Sequence, residues 1–277
     1  MSQPSAAYPS VVPVGVDTAR ASIARVYDAA LNGKDNFDID RDVLAQVRTV
    51  APQVNDLAWA NRDFLIRSCR FLASQAGIDQ FLDLGSGLPT AENTHQVVQR
   101  IRPEAHVVYV DNDPMVLTHA RALLESNPQT SIVSADIFRP HEVLNNATVR
   151  DELDFSRPIA VFHIGTLHHY LGDDGSALMQ TYVDALPSGS YLAIAHFYDP
   201  GDPELSELAR QMEDKFVHSP MGSGRFRTRD EIAAMFGGLE LVEPGLVLCD
   251  EWWPDGPQLA PLSPVRRCIA GGIAYKP

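Results

Sequence analysis

Phe81-Leu82-Asp83-Leu84-Gly85-Ser86-Gly87-Leu88-Pro89-Thr90 is the stretch whose reading decides the fold. Phe81, Leu82 and Leu84 form a short apolar run, as in a strand buried on both faces of a parallel sheet. Gly85-Ser86-Gly87 ends the run, and a helical pattern starts near Thr90. Strand, glycine turn and helix together let backbone approach a ligand closely, because glycine has no Cβ and tolerates positive φ. The helix aims free N–H groups at the turn, which favours a carboxylate or phosphate there by up to ~2 kcal/mol in good geometry. An anionic ligand group is therefore expected beside Gly85, Ser86 and Gly87.

Two ligand classes compete for this turn. A dinucleotide site uses G-x-G-x-x-G, but Thr90 stands where the third glycine belongs, and Pro89-Thr90 reads as the approach to a helix N-cap. Asp83 is unexplained by a dinucleotide, whereas its carboxylate could take the ammonium group of an amino-acid moiety. The acid-x-Gly-x-Gly order resembles motif I of the class I S-adenosylmethionine-dependent methyltransferases.

The following strands extend the pattern. His106 to Val110 reads as a strand ending at Asp111-Asn112-Asp113-Pro114. Asp113 before Pro114 is an ordinary helix start, which leaves Asp111 as the acceptor for a ribose diol, with Asn112 beside it. The spacing from the glycines is near the roughly 20-residue interval of nucleotide-binding βαβ units. A third strand, Ser131 to Ser134, runs into Asp136, placed to accept from an adenine amino group, and Ile137, whose backbone meets the ring edge. Successive strands ending in acids form a constellation suited to an adenosyl ligand.

Composition narrows the class. The chain has 277 residues, 45% hydrophobic and 21% charged, so one large globular unit with additions is expected. Its 36 acidic against 22 basic residues give a net charge of −14, which argues against nucleic acid as the main partner. Cys69, Cys249 and Cys268 have no zinc-like spacing, so no metal site is expected and reduced thiols are. No signal-peptide pattern and no apolar run of ~18 residues is visible, so a cytoplasmic protein without a membrane partner is expected.

Before the glycine stretch the chain reads as an extended arm (1–16) followed by a helical region (17–77) and then the core (78–277). Asp17 is the expected cap of a first helix closed by Gly33; Asp38 or Asp40 starts a second; Pro52 opens a third that ends at Gly77. These helices are expected to cap the sheet's ligand edge as part of one continuous unit with the core.

Ala24 to Asp28, Leu31 to Phe37, Asn61 to Leu65, Gln80 to Thr90 and Tyr109 to Met115 resemble a bacterial S-adenosyl methyltransferase family long catalogued as a domain of unknown function. The resemblance runs from about Asp17 to the C-terminus. It implies an α/β, Rossmann-like class I methyltransferase fold: a seven-stranded, mostly parallel sheet with an antiparallel last strand, plus the N-terminal helical cap. It implies S-adenosyl-L-methionine as cofactor and supplies no substrate, so a small-molecule acceptor is the expectation and the oligomeric state is open. It also raises Tyr27, Lys34, Asn36, Asn61 and Arg62 as pocket residues, which would otherwise read as core, surface, turn and ion-pair positions.

Downstream, Pro158 to Ile164 reads as the fourth strand, with His163 at its ligand end. His168 and His169 follow in the segment that resembles the one facing cofactor and acceptor in class I methyltransferases. Either could remove a proton from an acceptor, and either could instead make a structural hydrogen bond. Asp173 or Asp174 caps the next helix; Tyr191 to His196 is the fifth strand, which puts His196, Phe197 and Tyr198 at the ligand edge as candidate acceptor-site residues. Met221 to Phe226 reads as a lid or a plain surface loop. Leu239 to Leu248 and Arg267 to Tyr275 are expected as the closing antiparallel strands, with Trp252 more a core anchor than a pocket wall. A nicotinamide-dependent oxidoreductase and a non-catalytic S-adenosylmethionine-binding module remain as alternatives.

Overall fold

The computed structural model describes residues 13–89, 92–124 and 126–277. The opening stretch forms β1 (Gln80–Leu84), buried along its whole length. Three helices precede it: α1 (Ile23–Ala30), α2 (Asp38–Arg48) and α3 (Asn55–Ser74). After it come α4 (Thr94–Ile101), β2 (His106–Asp111), α5 (Pro114–Leu124), β3 (Thr130–Ser134), α6 (Pro140–Leu144) and α7 (Ala147–Glu152). Then follow β4 (Ala160–Ile164), a 3₁₀ turn at Leu167–His169, α8 (Gly175–Ala185), β5 (Tyr191–Phe197), α9 (Pro203–Val217) and α10 (Arg229–Ala234). Three strands close the chain: β6 (Glu240–Leu241), β7 (Val247–Leu248) and β8 (Ile269–Tyr275).

Among the described residues the sheet has eight strands in the order β3-β2-β1-β4-β5-β8-β6, with β7 also on β8. The first five are parallel, and β8 runs antiparallel to β5 from Tyr191↔Tyr275 to Phe197↔Ile269. The extra strand relative to the expected seven comes from Leu239–Leu248. There Gly245, at φ +90, donates to the Val242 carbonyl at 2.8 Å, and the turn splits one expected strand into two short ones. Chain order reverses between β1 and β4, so the carboxyl ends of these strands part and open a crevice, where ligands of open α/β sheets bind.

Strand periodicity sorts side chains onto two faces. Phe81, Tyr109 and Phe162 pack with α3, which buries Phe64, Cys69 and Leu72. Leu82, Leu84, Val110 and Val161 pack with Met179 and Tyr182 of α8. The long helix α3 is thus a layer of the core, and of the three expected cap helices α1 and one face of α3 cover the crevice. Trp252 is fully buried, edge-on to Phe64 at 5.7 Å and to Phe71 at 5.4 Å, an anchor of the core.

Helix starts depart locally from the sequence reading. Ser22, not Asp17, caps α1, its hydroxyl accepting from Arg25 N at 3.5 Å. Asn32 rather than Gly33 takes the left-handed conformation beyond it. Gly33 instead makes room for Asp28: a Cβ there would stand 1.9 Å from Asp28 Oδ1. α4 begins at Thr94, with Gln96 Oε1 accepting from the N–H of Asn93 at 2.8 Å. Thr90 and residues 1–12 of the expected arm lie outside the described residues. The arm's described end is seated, with Val16 against Leu88, Met115 and Val116. Among the described residues no helix is long and apolar enough to cross a membrane, and no three His, Cys, Asp or Glu side chains are grouped to hold a metal ion.

Candidate active site

A cavity of about 770 Å³ lies at the carboxyl ends of the parallel strands, beneath α1. Gly85 N donates to the Val110 carbonyl at 2.8 Å, which folds the turn back onto the end of β2. Gly85 has φ +78, and a Cβ there would stand 2.5 Å from Thr166 Cγ2. Gly87 has φ +66, and a Cβ there would meet no atom within 4 Å. The first glycine is required by crowding; the second leaves backbone bare toward open space, a cradle into which a ligand can close.

Three acids line this cavity from adjacent strand ends. Asp83 is buried and accepts from Thr94 Oγ1 at 2.6 Å. Burial pushes its carboxyl up to about 6, against the smaller opposing pulls of the Thr94 hydroxyl and the Arg62 guanidinium. Asp111 accepts from Gly87 N and Asp113 N, both at 2.9 Å, and burial also raises its carboxyl. A carboxylate offers about four lone-pair directions, so Asp111 fixes the turn and still has acceptor capacity. Asn112 lines the cavity beside it. Asp136 accepts from Phe138 N at 2.9 Å, and the Ile137 carbonyl receives the Tyr182 hydroxyl at 2.8 Å, so both are set before any ligand arrives.

The roof comes from α1 and α3. The Tyr27 hydroxyl donates to the Ala58 carbonyl at 3.1 Å and accepts from Asn61 Nδ2 at 2.9 Å, and burial raises its phenol. Arg62 donates to the Glu92 carbonyl at 2.8 Å and to Asn93 Oδ1 at 3.3 Å. Ser22 Oγ donates to Asp113 Oδ2, which ties the start of α1 to the end of β2.

The two histidines line the cavity on the far side of the switch point. His168 stacks on Phe197 with centroids 3.6 Å apart, and burial pushes its imidazole well below the ordinary value. His169 Nδ1 pairs with Ser223 Oγ at 2.9 Å, and burial lowers it to about 3. Arg225 N donates to the His168 carbonyl at 2.8 Å, so the 221–226 segment is stitched to the histidine turn.

Five candidates from the sequence, His163, His196, Asn36, Tyr198 and Lys34, do not line the cavity. His163 is fully buried on the opposite face, its Nδ1 3.0 Å from Thr166 Oγ1 and its ring edge-on to Tyr182. The period of two is the reason: Ile164, not His163, turns toward the crevice. His196 likewise points away, bound to the Phe197 carbonyl at 2.7 Å and to Arg227 at 2.9 Å. Asn36 is spent on Asp28 Oδ2 at 2.8 Å and on the Gly33 carbonyl. Tyr198 packs with the α8 side of the sheet. Sequence reading missed Thr94 and Phe216, neither of which carries a local signal, since each reaches the site through tertiary packing; Met221, read as the start of a lid or surface loop, lines the cavity.

Comparison with known proteins agrees with this fold. A family model described as S-adenosyl methyltransferase matches residues 10–277. The crystal structure of a candidate methyltransferase from Thermobifida fusca YX is 46% identical, with a TM-score of 0.88 over 95% of this chain and 97% of its own. A DUF574 family protein from Streptomyces avermitilis MA-4680 is 37% identical, with a TM-score of 0.87 over 94% and 99%. No curated protein matches. Neither the nicotinamide-dependent oxidoreductase nor the non-catalytic binding module is favoured by these matches. The chain belongs to the S-adenosyl methyltransferase family, and it is a methyltransferase whose cofactor is S-adenosylmethionine.

Proposed function

We propose that the crevice transfers a methyl group in line to a small-molecule acceptor. One observation carries the reading: Asp83, Asp111 and Asp136, from three adjacent strand ends, face the same cavity as His168 and His169. Its volume of about 770 Å³ lies in the upper part of the ~300–1,000 Å³ range of small-molecule pockets, in keeping with a cofactor and an acceptor side by side.

In this reading the bare backbone at Gly87 and the carboxylate of Asp83 hold the methionine end, with Arg62 near its carboxylate. Asp111 accepts from the ribose hydroxyls, and Asp136 with the backbone N–H of Ile137 meets the adenine edge. Bound S-adenosylmethionine supplies a methyl carbon already activated by the sulfonium. The protein's share is then chiefly alignment, worth ~7–11 kcal/mol in well-oriented systems. With the donor held there, an acceptor beside His168 and His169 would present its lone pair to that carbon, and the new bond would form as the carbon–sulfur pair returned to sulfur. Where the acceptor must lose a proton, His168 or His169 is placed to receive it. Burial makes both weak bases, so the proton moves only once the new bond to carbon has made it strongly acidic, and then passes to water. Incubation with a methyl-labelled donor and a fractionated metabolite extract tests this: label is expected in small molecules, and label confined to protein or nucleic acid would refute it.

The Asp83 carboxyl gives the site a pH dependence. Held at about 6, it is protonated below that pH and charged above it. Its raised value means that the folded protein alone loses stability as pH rises toward 6, because the charged form is the one burial penalises. A cofactor ammonium offsets that penalty, so S-adenosylmethionine affinity is expected to fall about tenfold per pH unit below about 6. Calorimetric titration from about pH 8 to pH 5 should show this slope, and Asp83→Asn should flatten it. A flat profile in the parent protein would remove Asp83 from the ammonium.

A further inference from the structure

The crevice divides by charge along the sheet. From β3 through β2 to β1 its walls carry Asp136, Asp111 and Asp83. From β4 to β5 and outward to α2 and α9 they are apolar, with Leu44, Leu57, Phe197, Phe216 and Met221 in contact with one core cluster. Among the described lining residues β4, β5, α2 and α9 present no charged side chain, and the cation nearest this half is Arg62 of α3. Its polar groups are the Tyr27 phenol, the Asn61 amide and the imidazoles of His168 and His169, and burial keeps both imidazoles neutral.

The amide is oriented by its neighbours. The single hydroxyl hydrogen of Tyr27 is committed to the Ala58 carbonyl, so toward Asn61 the oxygen can only accept, and Nδ2 faces it. Asn61 Oδ1 is thereby turned away from Tyr27, in a side chain 5% exposed, and has no partner among the described residues. Gly165, just beyond the carboxyl end of β4, abuts the same amide; a Cβ there would stand 2.8 Å from Nδ2 and 3.1 Å from Oδ1. A buried carbonyl without a donor is costly, so this one favours a ligand that brings an N–H or O–H.

We propose that the methyl acceptor is a neutral, largely apolar ring compound bearing one N–H or O–H donor, received by Asn61 Oδ1, with its ring against the Phe197–Phe216 side. Phe197 and Phe216 stack at 5.6 Å and 22°, and His168 covers the same phenylalanine at 3.6 Å, which gives that end aromatic walls. Arg62, beside Asn61, serves the cofactor's own carboxylate in the methyltransferase reading, so a carboxylate or phosphate on the acceptor would have to compete for it. The inference rests on the methyltransferase reading of the crevice and goes beyond it to the class of acceptor.

Three matched probes test it by calorimetry on protein with and without S-adenosylhomocysteine: 2-naphthol, its methyl ether and 2-naphthoate. 2-Naphthol is expected to bind about tenfold tighter than the ether, which lacks the donor, and more than about a hundredfold tighter than naphthoate, which carries a charge. In Asn61→Leu the naphthol-to-ether ratio is expected to fall to within about threefold while S-adenosylhomocysteine affinity holds. In Tyr27→Phe the amide is free to turn, and the ether is expected to gain on naphthol. Naphthoate as the tightest probe, equal binding of naphthol and ether, or no binding of either neutral probe overturns the proposal. So does a loss of S-adenosylhomocysteine affinity in Asn61→Leu with an unchanged probe ratio, which would assign the amide to the cofactor. Failure of S-adenosylhomocysteine itself to bind the parent protein would instead strike the methyltransferase reading.

Discussion

Replacing Asp111 with alanine is expected to weaken S-adenosylmethionine binding by about 1.5–3 kcal/mol, roughly 10- to 150-fold. The carboxylate does two jobs. It receives Gly87 N and Asp113 N, which fixes the glycine turn against the end of β2, and it keeps lone pairs for a ribose diol. Alanine removes both, whereas Asp111→Asn keeps the shape and one acceptor oxygen and should lose less. Alanine also leaves Gly87 N and Asp113 N without their acceptor, so some loss of apo stability is expected alongside the loss of affinity, less so for asparagine. Titration calorimetry on both variants, with melting curves as the folding control, checks the order parent, asparagine, alanine. Unchanged affinity in Asp111→Ala would mean that the ribose lies elsewhere.

The second large effect is on stability. Asp40→Ala is expected to cost about 3–5 kcal/mol, measured by urea denaturation near neutral pH. Arg25 Nε and Asp40 Oδ2 lie 2.9 Å apart with side chains 4% and 0% exposed. Asp40 also accepts from Ser22 N at 3.0 Å and Phe37 N at 2.9 Å, so one carboxylate joins the starts of α1 and α2. Without it the Arg25 guanidinium stays buried with, among the described residues, only the Asp17 and Arg20 carbonyls as acceptors. The double variant Arg25→Met/Asp40→Leu leaves no buried charge and is expected to recover most of the loss. This pair anchors the helix that carries Tyr27, so the single variant should also weaken ligand binding more than its distance from the cavity suggests.

The sheet was legible because its signals are local. Apolar runs, glycine at Gly85 and Gly87, and an acid at each strand end follow from chemistry within a few residues. The acids lie together because parallel strands align their carboxyl ends, so a motif read along the chain becomes a cluster in space. The histidines were harder. His163 and His196 sit one residue out of phase with Ile164 and Phe197, and which phase faces the crevice depends on what packs on each side. A one-residue change of phase sends a side chain to the opposite face. Asn36 looked like a site residue, but it serves the Asp28 carboxylate, a contact set by the turn after α1. Phe216 and Met221 reach the cavity by long-range packing, whereas the break of Leu239–Leu248 into two strands has a local signal, the turn dipeptide Pro244-Gly245, that the run of apolar residues around it masks.

A crystal grown with S-adenosylmethionine tests the central claim most directly. The account predicts density for the adenosyl group between Asp111 and Asp136, the methionine end against Gly87 and Asp83, and the methyl carbon turned toward His168 and Phe197. Ordered cofactor at any other place on the protein, or a crevice that stays empty at saturating cofactor, would contradict it.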